Sequence, residues 1–445
     1  MNRSPSFAGA GHWAGALVLA CAPFLPAQLQ VPEGFATQVV HRESSGPYSL
    51  SHCAVDASGR NVYVAVRQRI DEIDGQGLIR TIHVLPAGQA TGLLVRPRGC
   101  DALYFTEYPA GRLHRHDLRL GTTRTLPGIR NAFDLDLGPG GEVLVAAAPD
   151  WPVQAGTGGV WLLDPAGLHR QIARIAGPSG PLLLTPGGDL LFAAQSAAYP
   201  TPPGSVRILR FGAARVGQAL GGGPLLEERE AEVVVAGLDG AYDLELDDRG
   251  RLWMSDPQTG AVRRTRPGTW QLEAQPFLAP GGSGVLQIAF ADGDAATLDP
   301  FQPESGGVLH LLTTDWQTHG AVHRVRALRP GLISSPATHA GPGPVRVVVQ
   351  DAAALGPVWL LASMRAPVPE RPCLWLDGLP LWLGLDPSLA LAVIPGSAAA
   401  SGVADFRFLH PGGFTAELGF QALVATPGLA PALGTSRTHR LILQP

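Results

Sequence analysis

The 445-residue chain sets 33 cationic side chains against 37 carboxylates, a formal net charge of -4 and a pI near 6.3. It therefore lacks the basic footprint that neutralises nucleic-acid phosphates, and nucleic acid is not an expected partner. Every cationic side chain is Arg and none is Lys, which excludes Schiff-base chemistry and a Walker-type phosphate lysine.

Charged residues make up only 16% of the chain, against 56 Gly and 41 Pro, so many short strands and tight turns are expected rather than long amphipathic helices. Residues 1–27 read as a targeting segment. Arg3 supplies a positive start, Ala14-Gly-Ala-Leu-Val-Leu-Ala-Cys21 an apolar stretch too short to span a bilayer, and Leu25-Pro-Ala27 a small-residue cleavage site. A competing reading takes Val18-Leu-Ala-Cys21 as a lipobox, with Cys21 acylated as an anchor. Either way the chain is expected to be exported, extracellular or periplasmic, with no transmembrane segment. Cys53, Cys100 and Cys373 would remain, an odd set that argues against a disulfide framework.

Beyond residue 30 a phrase recurs: an apolar strand, a Gly turn, a second apolar strand, then a Gly-led third strand. It reads Cys53-Ala-Val-Asp-Ala-Ser-Gly59 with Val62-Tyr-Val-Ala-Val66, and Leu93-Leu-Val-Arg-Pro-Arg-Gly99 with Leu103-Tyr-Phe-Thr-Glu107. It returns at Leu135 to Ala146, Leu182 to Ala193, Leu244 to Ser255 and, more loosely, Ile288 to Asp315. The turn glycines at 59, 99, 141, 188, 250 and 293 are spaced by 40, 42, 47, 62 and 43 residues, about the length of a four-stranded propeller blade. The stretched interval is assigned to a surface loop over 212–230, and a further insertion to 294–307.

The fold class expected is all-β: a six-bladed β-propeller over 28–330, then a small β-sandwich. Blades start near 52, 92, 134, 181, 243 and 287, and the segment 31–40 closes the ring by adding an outer strand to the last blade. A Ser- and Pro-rich linker is expected at 331–345. The short apolar strands of 346–445 suit a β-sandwich-like C-terminal domain.

The Val31-Pro-Glu-Gly-Phe35 entry, followed by blades of the form Val-Asp-x-x-Gly-x-x-Val-Tyr-Val, resembles the six-bladed NHL and SMP-30/gluconolactonase-like (TolB-like) propellers over about residues 30 to 328. That resemblance implies a divalent cation, Ca²⁺ or Mg²⁺, which polarises a lactone carbonyl and activates water. Its ligand set would be a Glu of the first blade with an Asn-Gly and an Asp-Gly opening two inner strands. Phe133-Asp134 and Tyr242-Asp243 stand at the latter two positions.

Propeller ligands commonly sit where the innermost strands begin, a position that alignment of the repeats gives to His52, Gly92, Asp134, Pro181, Asp243 and Gln287. His52, Asp134, Asp243 and Gln287 are the candidate ligand-binding residues at the channel mouth, and His52, Asp134 and Asp243 the candidate metal ligands. The competing reading has these side chains capping backbone N–H groups of the next blade. Asp136, Glu245 and Asp247 share a strand face with the aspartates, and Arg partners from neighbouring blades are expected for them. Glu107, Asp256 and Asp315 are read as hairpin caps, and His114 with His116 as a weak metal pair. No catalytic residue is assigned. The function read is an exported recognition propeller for a small molecule, glycan or protein, with a metal-dependent lactonase or esterase of SMP-30-like type as the alternative.

Overall fold

The computed structural model describes residues 29–444 except 45–48, 57–59, 96–101, 151–157, 165–167, 196–200, 280–282, 291–307, 316–318, 329–330, 336–337, 364–370, 377–378, 386–389, 412–414, 426–432, 437–438 and the single positions 30, 33, 248, 351 and 384. The targeting segment, Cys21 and Cys100 lie outside the described residues.

Antiparallel sheets dominate. The first contains Leu50–Val55, Val62–Val66, Arg69–Ile73 and Ile79–Val84, and the second Gln89–Val95, Ala102–Tyr108, Arg112–Asp117 and Thr122–Leu126. The third contains Ala132–Leu137, Val143–Ala147, Gly158–Leu163 and His169–Ile175, and the fourth Leu182–Leu184, Leu190–Ala194, Val206–Phe211 and Glu232–Leu238. A three-stranded fifth sheet contains Asp243–Leu246, Leu252–Ser255 and Val262–Arg264. The sixth contains Gly284–Phe290, Val308–Thr314 and Gly320–Ala327, and Phe35–Glu43 from the start of the chain supplies its outer edge.

Apolar clusters fill every seam between consecutive sheets, and the circle closes through Leu50, Cys53 and Val64 of the first sheet packed on Leu286, Leu312 and Val322 of the sixth. This is a ring of sheets, a propeller, and unbroken apolar runs such as Val62–Val66, Val143–Ala147 and Leu190–Ala194, buried at every position, are what give those sheets two buried faces. Side chains also stitch the seams. Ser51 Oγ donates to the Ala90 carbonyl at 2.7 Å and Thr91 Oγ1 to Ala132 at 3.2 Å. Gln195 Nε2 donates to the Ala241 carbonyl at 3.3 Å and Ser255 Oγ to Leu286 at 2.8 Å.

Two expectations need correction. The segment 212–230 is no plain surface loop: Ala213–Leu220 is a helix, and Leu226–Glu227 adds a parallel strand to the outer edge of the third sheet. Val216, Ala219 and Leu226 are buried in the seam between the third and fourth sheets, because Val216, Ala219 and Leu220 recur at helical spacing and form one apolar face. The supposed linker 331–345 is also strand. Gly331–Ser335 pairs antiparallel with Arg346–Gln350, and Thr338–Ala340 pairs parallel with Ile442–Gln444. Its turn-rich side chains hid backbone groups that the sheets nonetheless pair.

The described C-terminal residues form three further sheets, one of Gly331–Ser335, Gly343–Gln350 and Ala404–His410, a second built on Pro357–Ser363, Ala390–Ser397, Ala416–Ala425 and His439–Gln444, and a two-stranded one of Arg371–Leu376 and Leu379–Leu383. Val345, Val347 and Phe406 of the first meet Val358, Leu360, Phe420, Ala422 and Leu441 of the second in one core. This is the packing of a β-sandwich.

The fifth sheet, shortest of the ring, contains a buried ion pair. Arg251 Nε donates to Asp247 at 2.5 Å with both side chains almost fully buried, Trp253 Nε1 donates to the same carboxylate at 2.9 Å, and Arg264 lies 5.0 Å over the indole. Arg251→Ala would leave the Asp247 charge buried without its partner. It is expected to cost about 3–5 kcal/mol, read as a lower denaturant midpoint for the propeller, whereas Arg407→Ala in an exposed pair on the sandwich is expected to stay within about 1 kcal/mol.

Candidate functional site

The six inner strands surround a cavity of about 220 Å³ whose walls include Cys53, Val55, Asp134, Asp136, Asp243, Glu245 and Gln287. Asp134, Asp243 and Gln287 thus meet in one space, and His52 does not join them. The inner strands of the first, third and sixth sheets each shift register near their starts, between Leu50 and Cys53, Ala132 and Asp134, and Val285 and Gln287. A bulge of this kind changes which face a side chain takes. The structural equivalents are therefore Cys53, Asp134 and Asp243 on one level, and His52, Phe133 and Tyr242 on the level before it.

The second group forms an aromatic knot. Ring centroids lie 5.8 Å apart for His52 and Phe133, 5.7 Å for His52 and Tyr242, and 4.8 Å for Phe133 and Tyr242. Three rings from alternate sheets at such distances fill the axis where the inner strands begin. His52 is completely buried and hydrogen bonds to the Phe133 backbone, Nδ1 has no partner, and burial pushes its pKa down to about 3. In the second sheet Gly92 occupies this level with φ 54°, and a Cβ there would come within 3.3 Å of the Phe133 carbonyl oxygen. Only glycine takes that backbone beside that carbonyl without strain.

The cavity carboxylates are held by backbone. Asp134 Oδ2 accepts from Leu182 N–H of the next sheet at 2.9 Å and Oδ1 from Leu135 N–H at 2.8 Å. Asp136 repeats this with Leu184 and Leu137, at 2.5 and 2.7 Å. Asp243 accepts from Ile288 at 2.8 Å and Leu244 at 3.0 Å, and Gln287 Oε1 accepts from Cys53 N–H at 2.6 Å while its side chain also bonds Asp243. These side chains cap the backbone of the following blade, as the competing reading has it for Asp134 and Asp243, and Asp136 is held in the same way rather than by the Arg expected for it. Asp247 finds its Arg within its own sheet.

Burial dominates the electrostatics. It raises Asp134 well above the usual carboxylate range, against the pull of its two N–H donors and with a further push from Asp136, and raises Asp136 to about 6. Asp243 is raised by burial and then by the charge of Asp134. The Cys53 thiol, free and buried, is raised by burial and by the charges of Asp243 and Glu245, so it stays largely protonated near neutral pH.

Among the described residues no group of three His, Cys, Asp or Glu side chains is placed to hold a metal ion. The set His52, Asp134 and Asp243 fails for a stated reason: the imidazole is locked in the aromatic knot, and each aspartate already accepts two backbone hydrogen bonds. His114 and His116 are buried and do not act as a metal pair with a third ligand among the described residues. His114 lies between Glu107, 3.3 Å from Nε2, and Thr125, 3.1 Å from Nδ1, and His116 bonds Thr123 at 2.8 Å. Asp256 and Asp315 cap their hairpins, accepting from Gln258 at 2.9 Å and His319 at 2.8 Å. Glu107 instead ties its hairpin together through Arg112.

Sequence reasoning placed Asp136 and Glu245 on the strand face of the two aspartates through the two-residue period, and both line the cavity, while Asp247, grouped with them, does not; it missed Cys53 as the true counterpart of Asp134. Nothing short of the bulge positions carries that signal.

No family model matches the chain, and no curated protein matches it. Among solved structures, the chain is similar to a gluconolactonase from Xanthomonas campestris, at 13% identity over 65% of this chain and 89% of that one, with a TM-score of 0.48. It is also similar to regucalcin, a calcium-binding protein from Agrobacterium tumefaciens, at 17% identity, 67% and 97% coverage and a TM-score of 0.46. A luciferin-regenerating enzyme follows at 11% identity, 64% and 95% coverage and a TM-score of 0.44. At this identity and overlap nothing of their activity passes to this chain.

A carboxyl whose folded pKa is raised stabilises the fold below its unfolded value, about 3.9 for Asp, and that contribution is lost as pH rises through the folded pKa. Asp134→Asn keeps an acceptor for Leu182 and removes the buried charge. It is expected to raise the melting temperature relative to the parent at pH 8, with the gap closing toward pH 4. Differential scanning calorimetry across that range checks it, and a variant less stable than the parent at pH 8 would contradict the electrostatic account.

Proposed function

We propose that the channel cavity is the functional site and that its carboxyl groups carry a hydrolytic activity on a small lactone or ester. The observation that supports this is the Asp134 and Asp243 pair, buried in one cavity and pushed out of the usual carboxylate range by burial first, then by Asp136 on Asp134 and by Asp134 on Asp243. Carboxyls poised to hold or release a proton near neutral pH are the groups that general acid–base hydrolysis needs. The substrate class comes from the resemblance of the repeats to SMP-30-like propellers. No metal step is included, because the residues present do not form its ligand set.

In this reading one ionised carboxylate takes a proton from water as the oxygen adds to the carbonyl carbon. The C–O bond to the leaving alkoxide then breaks, and the protonated carboxyl returns its proton to that oxygen. Gln287 fixes the position of Asp243.

A second reading, recognition of a small molecule without turnover, is favoured by the two backbone hydrogen bonds that each of Asp134, Asp136 and Asp243 already accepts. On this reading the sandwich docks the propeller to a surface, glycan or protein, and the N-terminal segment places it outside the cytoplasm. Among the described residues no helix is long and apolar enough to cross a membrane.

The test is a panel of five- and six-membered lactones and aryl esters followed by proton release, with Asp134→Asn and Asp243→Asn beside the parent. Hydrolysis should rise with pH as the carboxyls ionise, and each variant should lose about 10²-fold or more, the scale of one general base. A parent that turns nothing over but gains thermal stability from a panel compound leaves the recognition reading.

A further inference from the structure

The cavity and the aromatic knot together decide from which side the channel can be reached. His52, Phe133 and Tyr242 meet across the axis with no centroid pair further apart than 5.8 Å. None of the three lines the cavity, which begins at the next level and runs along the inner strands toward their ends. Exposure follows the same direction. Cys53, Asp134, Asp243 and Gln287 are buried at the deep level, whereas Val55, Val95, Asp136, Leu183, Glu245 and Phe290 further along are half-buried.

The charge is arranged along the same path. The described walls carry four acidic side chains and no cationic one, with Asp136 and Glu245 outermost and Asp134 and Asp243 at the floor. Low-dielectric walls focus such a field and raise the local concentration of the opposite charge.

We propose that the channel is a blind well, closed by the His52, Phe133 and Tyr242 knot where the inner strands begin, entered from the face where they end, and admitting small cations ahead of anions. The proposal shares its cavity with the hydrolytic reading but not its chemistry, so each can fail without the other. It also reverses the expectation that the ligand sits at the strand starts. Phe133 and Tyr242 become residues that decide access, and Asp136 and Glu245 residues that decide charge preference.

Cys53 reports on the floor of the well, because it lines the cavity together with Asp134, Asp243 and Gln287 and is free. The full-length chain with Cys21→Ser, Cys100→Ser and Cys373→Ser is treated with the cationic 2-aminoethyl and the anionic 2-sulfonatoethyl methanethiosulfonates. In each case the thiolate attacks the sulfenyl sulfur, forms a mixed disulfide and releases methanesulfinate. Rates are normalised to those of the same reagents with the urea-unfolded chain.

The cationic reagent should label Cys53 about 10-fold faster or more, and Glu245→Gln combined with Asp136→Asn should bring the ratio near one. Leu183→Trp, or Val95→Trp should the first fail to fold by circular dichroism, should slow both reagents by obstructing the strand-end approach. Equal rates for the two reagents in the parent would overturn the charge preference. Labelling that ignores both tryptophan variants yet accelerates in Phe133→Ala would place the entrance on the other face. A native chain that neither reagent labels, even at alkaline pH where the thiolate fraction rises, would overturn the open well.

Discussion

The edge of every inner strand is the constraint on which the ring depends. A propeller places six sheet edges around one axis, each with backbone N–H and C=O groups that no fifth strand covers. This chain satisfies them with side chains from the preceding blade: Ser51 and Thr91 reach carbonyls of the second and third sheets, Asp134 and Asp136 reach N–H groups of the fourth, and Gln195 reaches the fifth. Asp243 and Ser255 reach the sixth, and Gln287 returns to Cys53 of the first. Every seam thus holds at least one polar contact that works only if the neighbouring sheet is in register.

The same contacts create the site. Carboxylates suited to pairing with N–H groups must face the axis, and facing the axis takes them out of water. Their backbone donors favour the charged form, yet desolvation outweighs those donors in Asp134, Asp136 and Asp243. Structural clamping and unusual acidity therefore have one cause, and a group that holds two blades together is also one that can exchange a proton with a ligand. A metal, had the ligand set been complete, would have supplied the missing positive charge; here the backbone supplies part of it.

Much of the fold was legible from the chain alone. The Gly turns at 141, 188 and 250 mark hairpins, and Phe35–Glu43 sits as an outer strand where an orphan extended segment would be placed. The segments misread were those whose composition spoke against their backbone. Ser334, Ser335 and Pro344 suggested a linker in what are paired strands, and the Gly-rich stretch around Gly221 masked a short helix whose Val216 and Ala219 fill a seam.

The candidate site was legible in its carboxylates and not in its shape. Aspartates at 134 and 243 stand out because charged residues at strand starts are rare in an apolar repeat, and that follows from the sequence. His52 looked like their equal and is not, since a one-residue bulge moves a side chain from one face to the other and aligning repeats cannot show where bulges fall. The sequence determined the repeat, the strands and the acidic character of the axis, all of which rest on local pattern. The closing of that axis at one end by three rings, and the burial that lifts the carboxyl pKa values, were decided only when non-adjacent blades met, because desolvation and steric closure belong to the assembled ring and to no single blade.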